Sequence, residues 1–316
     1  MLSVRIITQL QDLGVPTAIA LGNFDGIHRG HRRVIDPMLE IAELFPRCYS
    51  TVVSFDPHPR VFFSGQRQPL LTPIAEKSRV LADLGLDQLV LLPFTRAIAD
   101  LSPEEFVVDV LIHQLGAEHL CVGADFRFGR NRVGAATDLR RIAESLGVPT
   151  EIIPLFNEGE ERISSSAIRR ALAAGDVPKA ARLLGRPYSL EGRVVGGQRL
   201  GRQLGFPTAN LDLPADKLLP AHGVYAVQVS SEATGLERHP GVMNLGLRPT
   251  VSGDRQLRAE VHLLDWQGDC YGADLRVELI AHLREEQRFE SLESLTTQIG
   301  RDCALARETL GLAIAR

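Results

Sequence analysis

The hydrophobic pattern of this chain changes once, near Pro187, and that change limits the possible folds more than any other feature. Before it, short apolar runs alternate with segments of helical periodicity, which is typical of a parallel sheet flanked by helices. After it, short β-type runs follow one another with only Gly-, Pro- and Asp-rich breaks, which is typical of a small antiparallel barrel or sandwich. The sequence therefore predicts two units of different fold class, as a length of 316 residues at roughly 150 per domain also suggests.

The first unit, residues 1–184, is predicted to be a doubly wound, Rossmann-like α/β domain. Its strands are expected at Thr17–Leu21, Ser50–Phe55, Gln88–Leu92, His119–Val122 and Thr150–Ile153, with helices near 31–44, 73–84, 103–115 and 137–146. Ser102 before Pro103 is a typical helix start, because a serine caps free N–H groups and proline fits the first turn. Two short helices, Ala167–Ala174 and one ending at Leu184, are expected to follow.

The second unit, residues 188–316, is predicted to contain short antiparallel strands and a closing helix. The strand candidates are Leu190–Val195, Gly223–Ser230, Gly241–Leu245, Leu257–Leu264 and Leu275–His282. From Ser291 to Leu312 apolar residues recur at helical spacing, so we expect a helix that packs on the barrel.

Composition excludes several classes of protein. Hydrophobic residues at 44% and charged residues at 23% are ordinary globular values. A net charge of −4 gives no overall field that would attract nucleic acid, and no segment approaches the roughly 20 apolar residues of a membrane span. Four widely spaced cysteines, without a CxxC pair, are expected to be reduced thiols of a cytoplasmic protein. The partners should therefore be small molecules rather than nucleic acid or membrane.

A glycine-rich segment joins the first predicted strand to the first predicted helix. It reads Gly22-Asn23-Phe24-Asp25-Gly26-Ile27-His28-Arg29-Gly30-His31. Ligands of open α/β sheets bind at the carboxyl ends of strands, and a helix N-terminus offers free N–H groups to phosphates. We expect the glycines to admit a nucleotide phosphate chain, and His28 and His31 to stabilise charge on the α-phosphoryl group and the departing pyrophosphate. A zinc pair and unrelated surface histidines remain alternatives, although no third ligand stands at a typical zinc spacing.

Two further segments of the first unit carry candidate binding residues. Ser164, Ser165 and Ser166 at a predicted helix start, with Arg169 one turn later, can form a second phosphate site for the β- and γ-phosphates. The alternative is an ordinary helix cap, which needs only one serine. Near a strand end, Asp125 precedes the run Phe126-Arg127-Phe128, which can face a planar ring and its phosphate, or can simply pack as a loop.

The second unit has its own glycine-rich segment, Gly192–Asn210. A strand that leads into a loop containing Gly196 and Gly201 suits a flap over phosphates. Thr208 and Asn210, two residues apart on an extended segment, point the same way and can offer two neutral oxygens to a Mg²⁺ that takes its other ligands from phosphates and water. A turn that ends in Asn is the alternative.

Taken together, the motifs of the first unit resemble a known family. The pattern His28-Arg29-Gly30-His31 resembles the HxGH motif of adenylyl- and cytidylyltransferases, and Gly22–Gly26 is similar to the N-terminal half of bacterial bifunctional riboflavin kinase/FAD synthetases. Stretches that match the same family are Phe55-Asp56-Pro57-His58-Pro59, Val122–Gly129 and Arg162–Arg169. The resemblance implies nucleotide binding by Gly22–Gly26, Gly30, the three serines and Arg169. It also implies flavin contacts from Phe55, Pro57, His58 and the residues Asp125–Phe128.

The second unit extends this resemblance over nearly the whole chain. Gly205-Phe206-Pro207-Thr208-Ala209-Asn210 looks like the PTAN motif of riboflavin kinases, in which Thr and Asn hold the metal–nucleotide. Further matching segments are Gly223–Ala226, Asn244–Gly246, Arg248-Pro249-Thr250, Glu260–Asp265, Tyr271-Gly272 and Leu283–Glu286. The resemblance implies that Glu260 is the catalytic base and that Phe206 and Arg284 contact flavin. His262 shares the strand parity of Glu260, and we expect a structural role for it.

The sequence thus favours a bifunctional, Mg²⁺-dependent enzyme with ATP as co-substrate. Residues 188–316 are expected to convert riboflavin and ATP to FMN and ADP, and residues 1–184 to convert FMN and ATP to FAD and pyrophosphate. One alternative is a monofunctional adenylyltransferase whose barrel only binds or senses flavin. The other is a non-catalytic flavin-binding regulator, which would not need two phosphate-binding segments.

Overall fold

The computed structural model describes residues 4–9, 15–45, 47–159, 161–196, 201, 204–249 and 255–312. The chain divides into two compact units, Met1–Ser165 and Ser166–Arg316.

The first unit is built around a parallel sheet. Its elements are β1 (Arg5–Ile7), β2 (Thr17–Leu21), α1 (Arg29–Leu44), β3 (Tyr49–Asp56), α2 (Pro59–Ser64), α3 (Ile74–Ala82), β4 (Gln88–Pro93), α4 (Arg96–Asp100), α5 (Pro103–Glu105), β5 (Ala117–Gly123), β6 (Arg127–Phe128), β7 (Gly134–Ala135), α6 (Ala136–Ser145), β8 (Thr150–Ile153), β9 (Asn157–Glu158) and β10 (Glu161–Arg162). Six strands form one sheet in the order β1-β4-β3-β2-β5-β8, and all five pairings are parallel. This confirms the predicted α/β class.

The order of these strands determines where a ligand can enter. From β2 the chain adds β3 and then β4 on one side, and β5 later pairs with the other side of β2. The direction of winding therefore reverses between β2 and β5. In open α/β sheets the crevice at such a reversal, outside the carboxyl ends of the strands, is the usual binding site. The segments that leave these two ends are the glycine-rich loop after Leu21 and the turn that contains Asp125 and Phe126.

Local signals explain most elements of this unit. Strand β2 is entirely buried, as expected for a central parallel strand covered on both faces. Ser102 begins α5 with a capping box, in which its Oγ accepts from the N–H of Glu105 and the Glu105 carboxylate accepts from the N–H of Ser102. The predicted helix 103–115 was wrong in one respect, because Phe106–Gln114 forms π-helical turns. Strand β1 was not predicted, since three residues carry too little pattern.

The second unit is a closed barrel with a helix on its outside. Its elements are α7 (Ser165–Ala173, which begins at the division), α8 (Val177–Leu184), β11 (Tyr188–Val195), β12 (Ala209–Asp212), β13 (Gly223–Ser231), β14 (Leu236–Pro249), β15 (Arg255–Leu263), β16 (Asp274–Arg284) and α9 (Leu292–Thr309). Six antiparallel strands close in the order β11-β12-β15-β14-β13-β16. The sequence left open a barrel or a sandwich, and the structure is a barrel.

Helix α9 covers part of the outer face of the barrel. Its Cys303 and Ala306 pack against Val224, Ala226 and Val242 of β13 and β14. The closing helix predicted over 291–312 is thereby confirmed, with slightly shorter bounds.

Helix α7 begins at the division of the chain, and α8 follows it within the second unit. Helix α8 packs against β11 and β16 of the second unit. The predicted functional limits, 1–184 and 188–316, place α7 and α8 with the first unit and stay a prediction. Within the described residues, no helix has both the length and the apolar character needed to cross a membrane.

Candidate functional sites

The loop between β2 and α1 has an unusual backbone. Phe24, Gly26 and Ile27 have φ angles of 48°, 96° and 42°. Left-handed angles at two non-glycine residues are costly and persist only where surrounding contacts fix them. The side chains of Phe24 and Ile27 are each 1% exposed, so both are held in the core of the unit. The loop is therefore a fixed structure that delivers the chain to the start of α1.

The two predicted catalytic histidines meet at this start. His28 is the N-cap of α1, and its Nδ1 accepts a hydrogen bond of 3.2 Å from the backbone N–H of His31. In the neutral ring the proton is therefore on Nε2. The two imidazoles stack with centroids 3.6 Å apart, and Phe24 presents its edge to His31 at 5.2 Å. The structure thus brings both histidines to the helix N-terminus at the carboxyl end of β2.

Gly30 lets the ring of His28 approach the backbone closely. A Cβ at this position would lie 3.2 Å from Nδ1 and Cε1 of His28. The glycine between the histidines therefore makes room for the ring of the first, in addition to the phosphate access predicted from the sequence.

Asp25, a predicted nucleotide-binding residue, makes structural contacts. Its Oδ1 accepts hydrogen bonds from the backbone N–H groups of Leu71 and Thr72, at 2.8 and 3.2 Å. The Thr72 hydroxyl accepts from the N–H of Gly26 at 2.9 Å. These contacts hold the middle of the loop against the segment before α3, and nucleotide contact by Asp25 stays a prediction.

Two of the three serines, Ser165 and Ser166, lie in the first turn of α7 and not ahead of it. The sequence predicted a helix from Ala167 capped by the three serines, whereas α7 begins at Ser165. The Ser165 hydroxyl donates to the carbonyl of Asp25 at 2.8 Å, which ties this segment to the histidine loop. Ser164 lies directly before the helix, whereas Ser166 and Arg169 belong to the helix. Their phosphate contacts stay a prediction.

Aromatic residues gather near the carboxyl ends of β3 and β4. The Phe55 ring lies 5.7 Å from Phe94 and 6.4 Å from Phe106, and Phe126 stacks on Phe128 at 5.9 Å. Pro57 follows Asp56 through a cis peptide bond, and His58 begins α2 by accepting from the N–H of Arg60.

Sequence reasoning did not single out Phe62, Phe63 or Phe94 of this aromatic group. Phe62 and Phe63 on α2 lie 5.3 and 5.9 Å from Phe94, and Phe63 is 65% exposed. The available signal was Phe63, which follows the predicted flavin residues Pro57 and His58 closely in the sequence. Its exposure could be recognised only in the folded structure.

The hairpin of β9 and β10 is joined to both sides of the predicted site. Arg162 pairs with Asp125 near the end of β5, and Glu158 pairs with Arg29 in the first turn of α1. Arg33 lies with its guanidinium 4.3 Å from the ring centre of Phe156. The structure therefore uses the Asp125 carboxylate in an ion pair, and its flavin contact stays a prediction. Arg127, on β6, is exposed.

In the second unit, strand register collects the predicted kinase residues. Asn210 of β12 lies opposite Glu260 of β15, and Glu260 lies opposite Asn244 of β14. Residues directly opposite in antiparallel strands share a face of the sheet. Asn244 is two residues from Val242, which packs with α9 on the outside of the barrel, so the register puts all three polar side chains on the outer face.

Glu260 is a partly exposed carboxylate with a cation beside it. Its side chain is 31% exposed, and Nη1 of Arg258 lies 3.4 Å from its Oε1. The structure thus places Glu260 next to Asn210, as the resemblance required. Asn244 is an additional polar neighbour of Glu260. The sequence analysis named it only within the matching segment Asn244–Gly246 and assigned it no role.

The segment before β12 is held by His262. The His262 Nδ1 lies 2.8 Å from the carbonyl oxygen of Pro207, and the Phe206 ring stands edge-on to the imidazole at 5.5 Å. These contacts agree with the expected structural role of His262. Thr208 is exposed, and a Cβ on Gly201 would lie 3.2 Å from its Oγ1. Gly196 lies at the end of β11, and residues 197–200 and 202–203 of the predicted flap lie outside the described residues.

Arg284, predicted to contact flavin, forms a bidentate ion pair. Its Nε and Nη2 donate to the two carboxylate oxygens of Asp302 at 2.9 and 2.8 Å, which joins β16 to α9. Gln298 also donates to Asp302. The observed contact of Arg284 therefore holds α9 against β16, and a flavin contact stays a prediction.

The described residues fit a metal carried by a nucleotide better than a metal held by the protein. Among them, no group of three or more His, Cys, Asp or Glu side chains is close enough to bind an ion. This disfavours the zinc alternative for His28 and His31 in the described part of the chain. Thr208 and Asn210 instead offer neutral oxygens beside a carboxylate, which suits Mg²⁺ with phosphate and water ligands.

Comparisons with known proteins match both units of the chain. A family model described as FAD synthetase matches residues 11–167, and one described as riboflavin kinase matches residues 184–310. Bifunctional riboflavin kinase/FMN adenylyltransferases of Pseudomonas fluorescens and Escherichia coli K12 are 44% and 43% identical, with coverage of 91% and 93% of both chains.

A crystal structure of another protein matches the fold over nearly the whole length of this chain. It is that of a macrolide-efflux protein from Streptococcus pneumoniae, with a TM-score of 0.84 and 28% identity over 96% of this chain and 99% of that one. With the histidine loop, the Asn210–Glu260 pair and near full-length matches to curated relatives, the chain belongs to the family of bifunctional riboflavin kinase/FMN adenylyltransferases.

Proposed function

We propose that the two activities of this family are divided between the two units, with riboflavin phosphorylation in the barrel and FMN adenylylation at the histidine loop. The observation that carries the assignment is that each unit matches one of the two family models and brings its own candidate site residues together. These are stacked His28 and His31 at a helix N-terminus, and Asn210 beside Glu260 on the barrel.

In the barrel, the 5′-hydroxyl oxygen of riboflavin attacks the γ-phosphorus of ATP. The new O–P bond gives FMN, the bond to the β-phosphate oxygen breaks, and ADP leaves. Glu260 accepts the hydroxyl proton, because it is the carboxylate next to the phosphate-binding Asn210. Thr208 and Asn210 would hold Mg²⁺, which when bound neutralises charge on the phosphates.

At the histidine loop, a phosphate oxygen of FMN attacks the α-phosphorus of a second ATP. The bond between the α-phosphorus and the bridging oxygen breaks, and pyrophosphate leaves with FAD as the product. The Nε2–H of His28 and the ring of His31 donate to the oxygens that gain charge, without any covalent enzyme intermediate. We assign the phosphate chain of this ATP to Gly22–Gly26, Gly30, Ser164 and Ser165, because the Ser165 hydroxyl is bonded to the carbonyl of Asp25 in the same loop.

The flavin of the adenylylation step is assigned to the aromatic group at the ends of β3 and β4. Phe55 and Phe126 are partly buried and offer ring faces and edges for an isoalloxazine, whereas Phe128 is 5% exposed and supports Phe126 from the core. We also place the chain in the cytoplasm, because its four cysteines are free thiols, three of them buried, and ATP is its co-substrate.

Reciprocal variants test the division. We expect His31→Ala to abolish FAD formation from FMN and leave FMN formation from riboflavin within about twofold, whereas Glu260→Gln should do the reverse. The measurement is chromatography of flavins after incubation with riboflavin or FMN, ATP and Mg²⁺. Loss of both activities in either folded variant would contradict the division.

A further inference from the structure

Lys77 of α3 is a buried cation that neither reaction step uses. It is 7% exposed, and its Nζ donates to the carbonyl of Asn23 at 3.0 Å and to the Ser54 hydroxyl at 3.2 Å. The Ser54 hydroxyl donates to the same carbonyl at 2.9 Å. Lys77, Ser54 and Asn23 therefore form a closed polar triangle between α3, β3 and the histidine loop.

A lysine at this position lowers stability relative to an apolar residue of the same length. Burial lowers the pKa of Lys77 from 10.5 to about 8, and the nearby carboxylates of Asp25 and Asp56 only partly offset that effect. Removing the ammonium would not leave the Asn23 carbonyl unpaired, because the Ser54 hydroxyl still reaches it. We therefore expect α3 to fold without this charge.

The contact acts at the entrance of the strained loop. Asn23 directly precedes Phe24, the first left-handed residue, and the loop ends at His28, the N-cap of α1. Asp25 and Gly26 are held by Leu71 and Thr72, whereas Asn23 is held by Lys77 and Ser54. A charged donor in a low-dielectric interior binds a carbonyl more strongly than a neutral one.

We propose that Lys77 is a positioning residue for FMN adenylylation, whose ammonium group fixes the Asn23 carbonyl and thereby the backbone that presents His28 and His31. This inference rests on the proposed role of the two histidines. Small displacements of catalytic groups reduce turnover steeply. We therefore expect loss of the Lys77 ammonium to lower kcat and to leave substrate binding unchanged.

The test is Lys77→Met in the full-length enzyme. We expect kcat for FAD formation to fall about 10- to 100-fold, with KM for FMN and ATP within about threefold of wild type. The unfolding temperature of the first unit should stay equal or rise, and riboflavin phosphorylation should not change. A merely structural lysine predicts a lower unfolding temperature and normal kcat in the folded fraction.

Leu81→Ala is the matched control. Leu81 lies one turn later on the same helix and is fully buried, so its truncation should lower the unfolding temperature and leave kcat of the folded enzyme unchanged. The inference is overturned by wild-type kcat in Lys77→Met, or by an equal kcat loss in folded Leu81→Ala. Lys77→Gln carries the same expectation should the methionine variant not fold.

His31→Ala separates this inference from the proposed function. If His31→Ala retains FAD formation, the assignment of the histidines is wrong. If His31→Ala is inactive and Lys77→Met is fully active, only the role of Lys77 fails.

Discussion

At the scale of single residues, the neighbours of Glu260 support its proposed role as a proton acceptor. Glu260 lies between Asn210 and Asn244 in register, on the outer face of the barrel, with the Arg258 guanidinium 3.4 Å away. A carboxylate in this setting can remain partly hydrated while it faces a bound phosphate. A glutamine of equal size preserves the shape and removes only proton acceptance.

Glu260→Gln is therefore expected to lower kcat for FMN formation on the order of 10²–10⁴-fold and to leave KM for riboflavin nearly unchanged. If proton transfer is late in a loose transition state, the loss lies at the lower end of that range. Steady-state kinetics with riboflavin as substrate provide the measurement, and FMN supplied from outside should still become FAD. A raised KM with intact kcat would make Glu260 a binding residue instead.

Lys77 gives a pH dependence of stability whose sign is opposite to that of most paired lysines. Its folded pKa, about 8, is below the ordinary 10.5, so between these values the unfolded chain binds more protons. The free energy of unfolding should therefore rise with pH in that window, by up to about 3 kcal/mol relative to Lys77→Met. The destabilising charge is fully present below pH 8.

Urea unfolding at pH 7, 8, 9 and 10 checks this expectation. Circular dichroism follows the whole chain, and the fluorescence of Trp266, the single tryptophan, reports the second unit separately. Lys77→Met has the same titrating groups apart from Lys77. The difference in unfolding free energy between the two proteins at each pH therefore reports Lys77 alone. Parallel pH curves for both proteins would show that the pKa is not lowered in the folded state.

At the scale of elements, the kinase residues depend on the close approach of β11 and β12. Gly192 of β11 has no room for a side chain, because a Cβ would lie 2.5 Å from the carbonyl oxygen of Asp212. Asp212 ends β12, the strand that carries Asn210. A methyl group there must push the two strands apart.

Gly192→Ala should therefore destabilise the second unit by about 1–3 kcal/mol and lower FMN formation about tenfold, with FAD formation from FMN unchanged. Gly300→Ala is the control, since no heavy atom lies within 4 Å of the new Cβ in α9. It should stabilise the unit by about 0.5–1 kcal/mol with normal activity. Trp266 fluorescence and flavin chromatography measure both effects, and a Gly192→Ala protein of wild-type stability would refute the steric argument.

At the scale of the whole molecule, separate sites predict complementation. A mixture of His31→Ala and Glu260→Gln should convert riboflavin to FAD, because the first variant makes FMN and the second adenylylates it. FAD should appear after a lag during which free FMN accumulates. The time course by chromatography measures this, with each variant alone as control. FMN that accumulates without FAD would contradict the expectation that Glu260→Gln keeps its adenylylation of free FMN.

The sequence by itself determined the features that depend on local signals. The five strands Thr17–Leu21 to Thr150–Ile153, the cap at Ser102 and the histidine loop were predicted because apolar runs, capping residues and glycines act within a few residues. The family also followed from motifs, since HxGH and PTAN are short and local.

Only the tertiary structure decided which distant residues meet. Whether the β-rich half closes into a barrel depends on strand register, and the same register puts Asn244 beside Glu260. Lys77 reaches the Asn23 carbonyl from 54 positions away, and Phe63 joins the aromatic group through Phe94. Such contacts result from the packing of whole elements, whose alternative arrangements differ by little in local propensity, so no window of sequence specifies them.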